Sequence, residues 1–204
     1  MLHPFLKYVF TAIGAFIATN LDDLFILTLL FGMKRMAAVN IVLGQYLGIA
    51  ALVVFSLAGA LLGAVIDVRY IGLLGIVPLA LGILHILRKK KDSDDEEEEV
   101  RKVAVRTSFY GQVGAVASIT VANGGDNISI YIPLFAAAGF RGLLLIFAVF
   151  MVMVALWCYL GFWIAGRPVL ARALGRYGHV ITPMVFILLG VYILWSSGSF
   201  TLLF

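Results

Sequence analysis

The stretches Thr19-Asn20-Leu21-Asp22-Asp23 and Ala122-Asn123-Gly124-Gly125-Asp126-Asn127 set three aspartates inside two long apolar runs, each in the pattern Asn-x-x-Asp. A carboxylate near the centre of a bilayer costs roughly 2.5 to 3.5 kcal/mol on insertion scales, so acids kept there normally line a polar cavity and mark an ion path. No Lys or Arg stands in the middle of either run to hold these acids as structural ion pairs. The fold therefore turns on whether the runs around them are membrane spans.

Composition says that they are, because 204 residues with 63% hydrophobic content and a mean hydropathy of +1.07 cannot remain dispersed as a water-soluble domain. Six stretches reach the ~20 residues that a helix needs to cross ~30 Å of hydrocarbon: about 5 to 31, 38 to 65, 70 to 87, 108 to 138, 142 to 165 and 177 to 195. Strand-type alternation is missing, so helices must satisfy the backbone and the expected fold is an all-α integral membrane protein. The first run carries an acidic cluster and lacks a small-x-small cleavage site, which marks it as a mature helix rather than a signal peptide.

The net charge of +4 does not indicate a nucleic-acid partner, since the basic residues sit in loops and at helix ends. The partner is the lipid bilayer. Lys34, Arg35, Arg88 to Lys91, Arg101, Lys102, Arg106, Arg167, Arg172 and Arg176 follow the first, third and fifth spans, against Lys7, Arg69 and Arg141 on the other side. The positive-inside rule puts the first group in the cytoplasm and both termini outside. Cys158, alone in an apolar helix, reads as a packed thiol, and Trp157, Trp163 and Trp195 as an aromatic belt or lipid-facing packing. A homo-oligomer is compatible with this composition.

Residues 88–107 carry blocks of both charges, cannot build a core and form a solvated cytoplasmic linker. They separate a first three-helix unit, residues 1–87, from a second, residues 108–204. Motifs recur in the same order in both: Asn20-x-x-Asp23 answers Asn123-x-x-Asp126, and Tyr46-Leu47-Gly48 answers Tyr159-Leu160-Gly161. Tyr70, Pro78 and Gly82 answer Tyr177, Pro183 and Gly190. An odd number of spans per copy inverts the second relative to the first, so the expectation is two inverted three-helix repeats with a substrate site near the midplane between them.

At that site Asn20 and Asp23 share a helix face, as do Asn123, Asp126 and Asn127, with Thr19 and Thr120 extending those faces. Gly124-Gly125 supplies a helix interruption through which backbone can approach a ligand. Carboxylate and amide oxygens are the donors that hard or borderline divalent cations accept, which suits manganese, magnesium, calcium or zinc. Like-charge repulsion in low dielectric would link metal release to proton uptake. Asp22 points about 100° away from Asp23 and is the unmatched acid. Gln45, Tyr46 and Tyr159 are polar positions expected to line the path.

Ala18 to Asp23, Gly44-Gln45-Tyr46-Leu47-Gly48 and Val121 to Ile128, followed by Tyr131, Pro133, Leu134 and Phe135, resemble the cadmium-resistance transporter family, CadD type, within the lysine-exporter superfamily. The resemblance covers nearly the whole chain. It implies a bacterial plasma-membrane exporter of cadmium driven by an ion gradient, with no cofactor and no enzymatic reaction. The lack of a Gly-x-x-x-x-Gly-Lys loop agrees with secondary transport. Export of a cationic amino acid is the alternative within that superfamily. An intramembrane aspartyl protease is disfavoured, because its Gly-x-Gly-Asp motif would need glycine where Asn123 stands.

Overall fold

A computed structural model describes residues 2–63 and 108–174 continuously, with isolated helical positions between 76 and 84 and between 183 and 191. The expected linker lies outside the described residues, as do most of the third and sixth spans. The described chain forms α1 (Leu2–Thr19), α2 (Leu21–Gly32), α3 (Ala38–Gly63), α4 (Phe109–Asn123), α5 (Gly125–Ala137) and α6 (Phe140–Ala165). No strand occurs among the described residues.

The first run is not one helix. It breaks at Asn20, and the segments Phe5–Thr19 and Leu21–Gly32 are bent by 60°. Asn20 takes φ −120° and ψ 18°, while its side-chain Nδ2 donates to the Phe16 carbonyl at 2.9 Å. Thr19 Oγ1 likewise returns to the Ala15 carbonyl at 3.1 Å. Such short polar side chains compete with the helical ladder and end it. Asp22 and Asp23 then open α2, where the exposed N–H groups of a new helix favour negative charge. The fourth run breaks where its glycines predict, with Gly124 between α4 and α5.

α3 and α6 each have 26 residues, about 39 Å of helix and enough to cross the hydrocarbon. They are the two described helices long and apolar enough to do so, and the bent α1–α2 pair makes a third if counted as one span. At the end of α6 the Arg167 guanidinium sits 3.8 Å from the centre of the Trp163 ring, the pairing of cation and aromatic that a membrane interface favours. The order of a broken helix followed by a 26-residue helix thus occurs twice.

Packing crosses between these two series. α3 packs chiefly on α4 and α5, and α6 on α1 and α2, giving two bundles, α1–α2–α6 and α3–α4–α5. Close approach of α3 and α4 depends on Gly48, where an added Cβ would stand 2.5 Å from Thr120 Cβ. Between the bundles, Phe16, Phe150 and Tyr131 are fully buried, with ring centroids 5.5 Å apart for Phe16 and Phe150 and 4.6 Å for Tyr131 and Phe150. This aromatic core lies directly beside the break in the first run.

Overpacking a tight helix contact costs roughly 1–3 kcal/mol. Gly48→Ala is accordingly expected to lower the melting temperature in detergent. Gly114→Ala, where an added Cβ meets nothing within 4 Å, is expected to leave it unchanged. Equal melting of the two variants would refute the close α3–α4 seam.

Candidate functional site

Two helix breaks in apolar surroundings leave backbone groups that only protein can satisfy, and carbonyls at the first break meet side chains from α5 and α6. Asn20 is fully buried. Its Nδ2 reaches Thr19 Oγ1 at 2.8 Å and the Tyr131 hydroxyl at 3.0 Å, and that hydroxyl also pairs with Thr19 Oγ1 at 3.1 Å. The Asn20 carbonyl accepts from Leu24 N at 3.1 Å and from the Trp157 indole at 2.6 Å. From α5, the Asn127 amide lies 3.3 Å from Asn20 Oδ1 and 3.4 Å from the Tyr131 hydroxyl. Turned over, it donates to the Thr19 carbonyl at 2.9 Å and to Asp126 Oδ1 at 3.0 Å, the orientation its surroundings satisfy better. In either orientation Asn127 ties the second break to the first.

The acids follow the breaks. Asp22 and Asp126 are each the second residue of the helix that restarts. Each accepts the next backbone N–H on Oδ1, from Asp23 at 2.9 Å and from Asn127 at 2.8 Å. Asp23 and Asn127 come third and are both buried. Counted from the breaks, Asp22 therefore corresponds to Asp126 and Asp23 to Asn127. This register differs by one residue from the motif alignment, which matched Asp23 with Asp126. Both breaks place an acid at the same step, so Asp22 is no longer the unmatched one.

Gln45 brings α3 to the site, donating from Nε2 to Asp23 Oδ2 at 2.8 Å and accepting from Thr120 Oγ1 at 2.8 Å. Tyr46 turns instead to α6, where its hydroxyl donates to the Met151 carbonyl at 2.9 Å. Tyr159 is 62% exposed on the outer side of α6 and stands apart from the cluster. The Tyr-Leu-Gly match also fails to place these tyrosines at equivalent positions along their helices, since Tyr46 lies in the first half of α3 and Tyr159 in the last quarter of α6. Asn123 is half-buried at the end of α4. Gly124 is buried against Leu52, and Gly125 is exposed at the head of α5.

Two members of the cluster escape the sequence reading. Tyr131 is fully buried and shares a helix face with Asn127, four residues earlier, a spacing that could have revealed it. Trp157, expected in a belt or towards lipid, is buried with its N–H on the break carbonyl. No periodicity signals that role, because the partner is a backbone atom exposed only by the break.

Chemically, the arrangement offers carboxylate oxygens, amide oxygens and two hydroxyls, with Asp23, Asn20 and Asn127 buried and Asp22 and Asp126 half-buried. Among the described residues, no three of His, Cys, Asp and Glu gather into a group able to hold a metal ion. The three aspartates thus do not make a ready-made acidic cage, and amide or backbone oxygens must complete any coordination shell.

A sequence model of the cadmium resistance transporter family matches residues 16–204, a range that includes both breaks and all three aspartates. No curated protein and no solved structure gives a match. The family match spans nearly the whole chain and is centred on apolar helices, so this is a multi-pass membrane protein belonging to the cadmium resistance transporter family.

Proposed function

We propose that the chain exports a divalent cation, with cadmium the favoured cargo, in exchange for protons through the site between the two helix breaks. The observation that carries this reading is the meeting of the breaks: Asn20, Asp23 and Asn127 buried together, with Asp22 and Asp126 at the matching step of each restarted helix. Interrupted helices facing each other near mid-depth are how many secondary transporters hold ions. Six spans in two inverted repeats, the CadD type and the wider lysine-exporter superfamily belong to the same reading. So does a place in the bacterial plasma membrane with both termini outside. The repeated order of broken helix and long helix supports it.

The sequence leads one to expect one sequence half rocking against the other. Packing favours different moving bodies. Bonds such as Trp157 to Asn20 and Thr120 to Gln45 lie within a bundle. By contrast, Asn20 to Tyr131, Asn127 to the Thr19 carbonyl and Gln45 to Asp23 cross from one bundle to the other at the site itself. Movement of α1–α2–α6 against α3–α4–α5 would open and remake the site in one step, which is what alternating access requires.

Oxygen donors suit hard cations, whereas cadmium is soft. One soft donor lies nearby on α6: the buried Cys158, next in sequence to Trp157, whose indole binds the Asn20 carbonyl. Oxygen-rich coordination with at most one sulfur would pass cadmium without trapping it, as an exporter needs.

In inverted vesicles with an acidic lumen, wild-type protein is expected to accumulate cadmium, and a protonophore to abolish the uptake. Gradient-independent uptake would contradict proton exchange. Asp23→Asn and Asp126→Asn should each cut uptake by at least ~10-fold, since even an outer-sphere partner of a metal site is worth that much. Wild-type rates in both would remove the site assignment. Across a metal panel, Cys158→Ser should lower cadmium transport relative to manganese transport; an unchanged ratio would show that the thiol takes no part in selection.

A further inference from the structure

Gln45 holds Asp23 from across the bundle interface, and three features fix how it does so. Gln45 and Thr120 are each 2% exposed and Asp23 is 6% exposed, so water does not compete for these bonds. The amide bonds at both ends, 2.8 Å from Nε2 to Asp23 Oδ2 and 2.8 Å from Thr120 Oγ1 to Oε1. Gly44 and Gly48 flank it on α3, where an added Cβ would stand 2.5 Å from Val116 Cβ and 2.5 Å from Thr120 Cβ, so the α4 backbone comes close enough for Thr120 to reach.

The direction of this chain of bonds is chemically determined. An ionised carboxylate only accepts, so Gln45 must present its N–H groups to Asp23 and its oxygen to Thr120. Thr120 has one hydroxyl proton and two acceptors in range, Gln45 Oε1 at 2.8 Å and its own-helix Val116 carbonyl at 3.2 Å. The shorter contact is the one that keeps the amide from turning over.

The donor that Gln45 offers Asp23 is also neutral. Lys or Arg at position 45 would hold the carboxylate equally firmly but would cancel its charge and repel an arriving cation. An amide fixes the carboxylate's orientation without adding a positive charge of its own.

We propose that Gln45 is a positioning residue for cation binding: it presets the Asp23 carboxylate in the orientation that meets the cargo, and Thr120 sets the polarity of the clamp. Gln45 acts through Asp23 and need not touch the ion. The inference rests on the reading of Asp23 as a cation ligand and adds to it the group that makes that ligand preorganised. Partners that orient a metal ligand typically contribute 10- to 100-fold in affinity.

The test is the cadmium-concentration dependence of transport in proteoliposomes for wild type, Gln45→Met, Thr120→Val, Thr120→Ser and Asp23→Asn, with melting temperatures measured alongside. Gln45→Met is expected to raise KM by roughly 10- to 100-fold while kcat stays within about twofold. Thr120→Val, which leaves Gln45 Oε1 without its donor, should raise KM by about 3- to 10-fold. Thr120→Ser, which keeps the hydroxyl, should recover most of that loss. A structural role alone would lower melting temperature and active fraction without this split. If Gln45→Met does not fold, the Thr120→Val and Thr120→Ser pair decides, and equal KM values in that pair overturn the proposal. Wild-type KM in Gln45→Met with transport abolished in Asp23→Asn overturns the proposal and leaves Asp23 as ligand. Wild-type transport in Asp23→Asn overturns the underlying reading instead.

Discussion

In hydrocarbon, every N–H and C=O freed by a helix break must find a partner within the protein, and the breaks at Asn20 and Gly124 place that demand at the centre of the fold. It is met by side chains that would otherwise be liabilities in an apolar helix. Thr19 and Asn20 turn back onto α1 carbonyls, Trp157 reaches the Asn20 carbonyl, and Asp22 and Asp126 each take up the N–H of the third residue of the restarted helix. The groups that repair the backbone are thereby gathered in one place. A polar site is the consequence of satisfying two interrupted helices at the same depth.

That economy extends to packing. Because α3 lies on α4 and α5, and α6 on α1 and α2, each broken helix is supported by the long helix of the other series. The site sits where the two bundles meet, bordered by the buried rings of Phe16, Phe150 and Tyr131. Most polar bonds across that boundary gather at Asn20, Asp23, Asn127 and Tyr131, with Tyr46 to the Met151 carbonyl apart from them, so what binds at the site bears directly on how the bundles are joined.

Much of this was legible in the sequence. The apolar runs gave the bounds of α3, α4–α5 and α6 to within a few residues, and Gly124-Gly125 foretold the second break because paired glycines weaken a helix. The first break was hidden by the length of its hydrophobic run, although Thr19-Asn20 followed by Asp22-Asp23 is a helix-start pattern in its own right. Reading that pattern would also have corrected the repeat register, since it is position after the break, rather than the spacing Asn-x-x-Asp, that equates Asp22 with Asp126. Tyr131 and Trp157 were harder to see: one is an aromatic four residues beyond Asn127, the other an indole whose partner is a carbonyl. The pairing of α3 with α4 and α5 is a tertiary fact that no local periodicity encodes.

The central claim is that a transported cation rests between the two breaks, and locating the metal itself tests it most directly. A structure of the protein in lipid with cadmium, with the ion identified by anomalous scattering, should show density bounded by Asp23 and Asp126 and completed by the Asn20 or Asn127 amide. Cadmium bound only along the acidic run of residues 94–99, with the space between the breaks closed as before, would contradict the account.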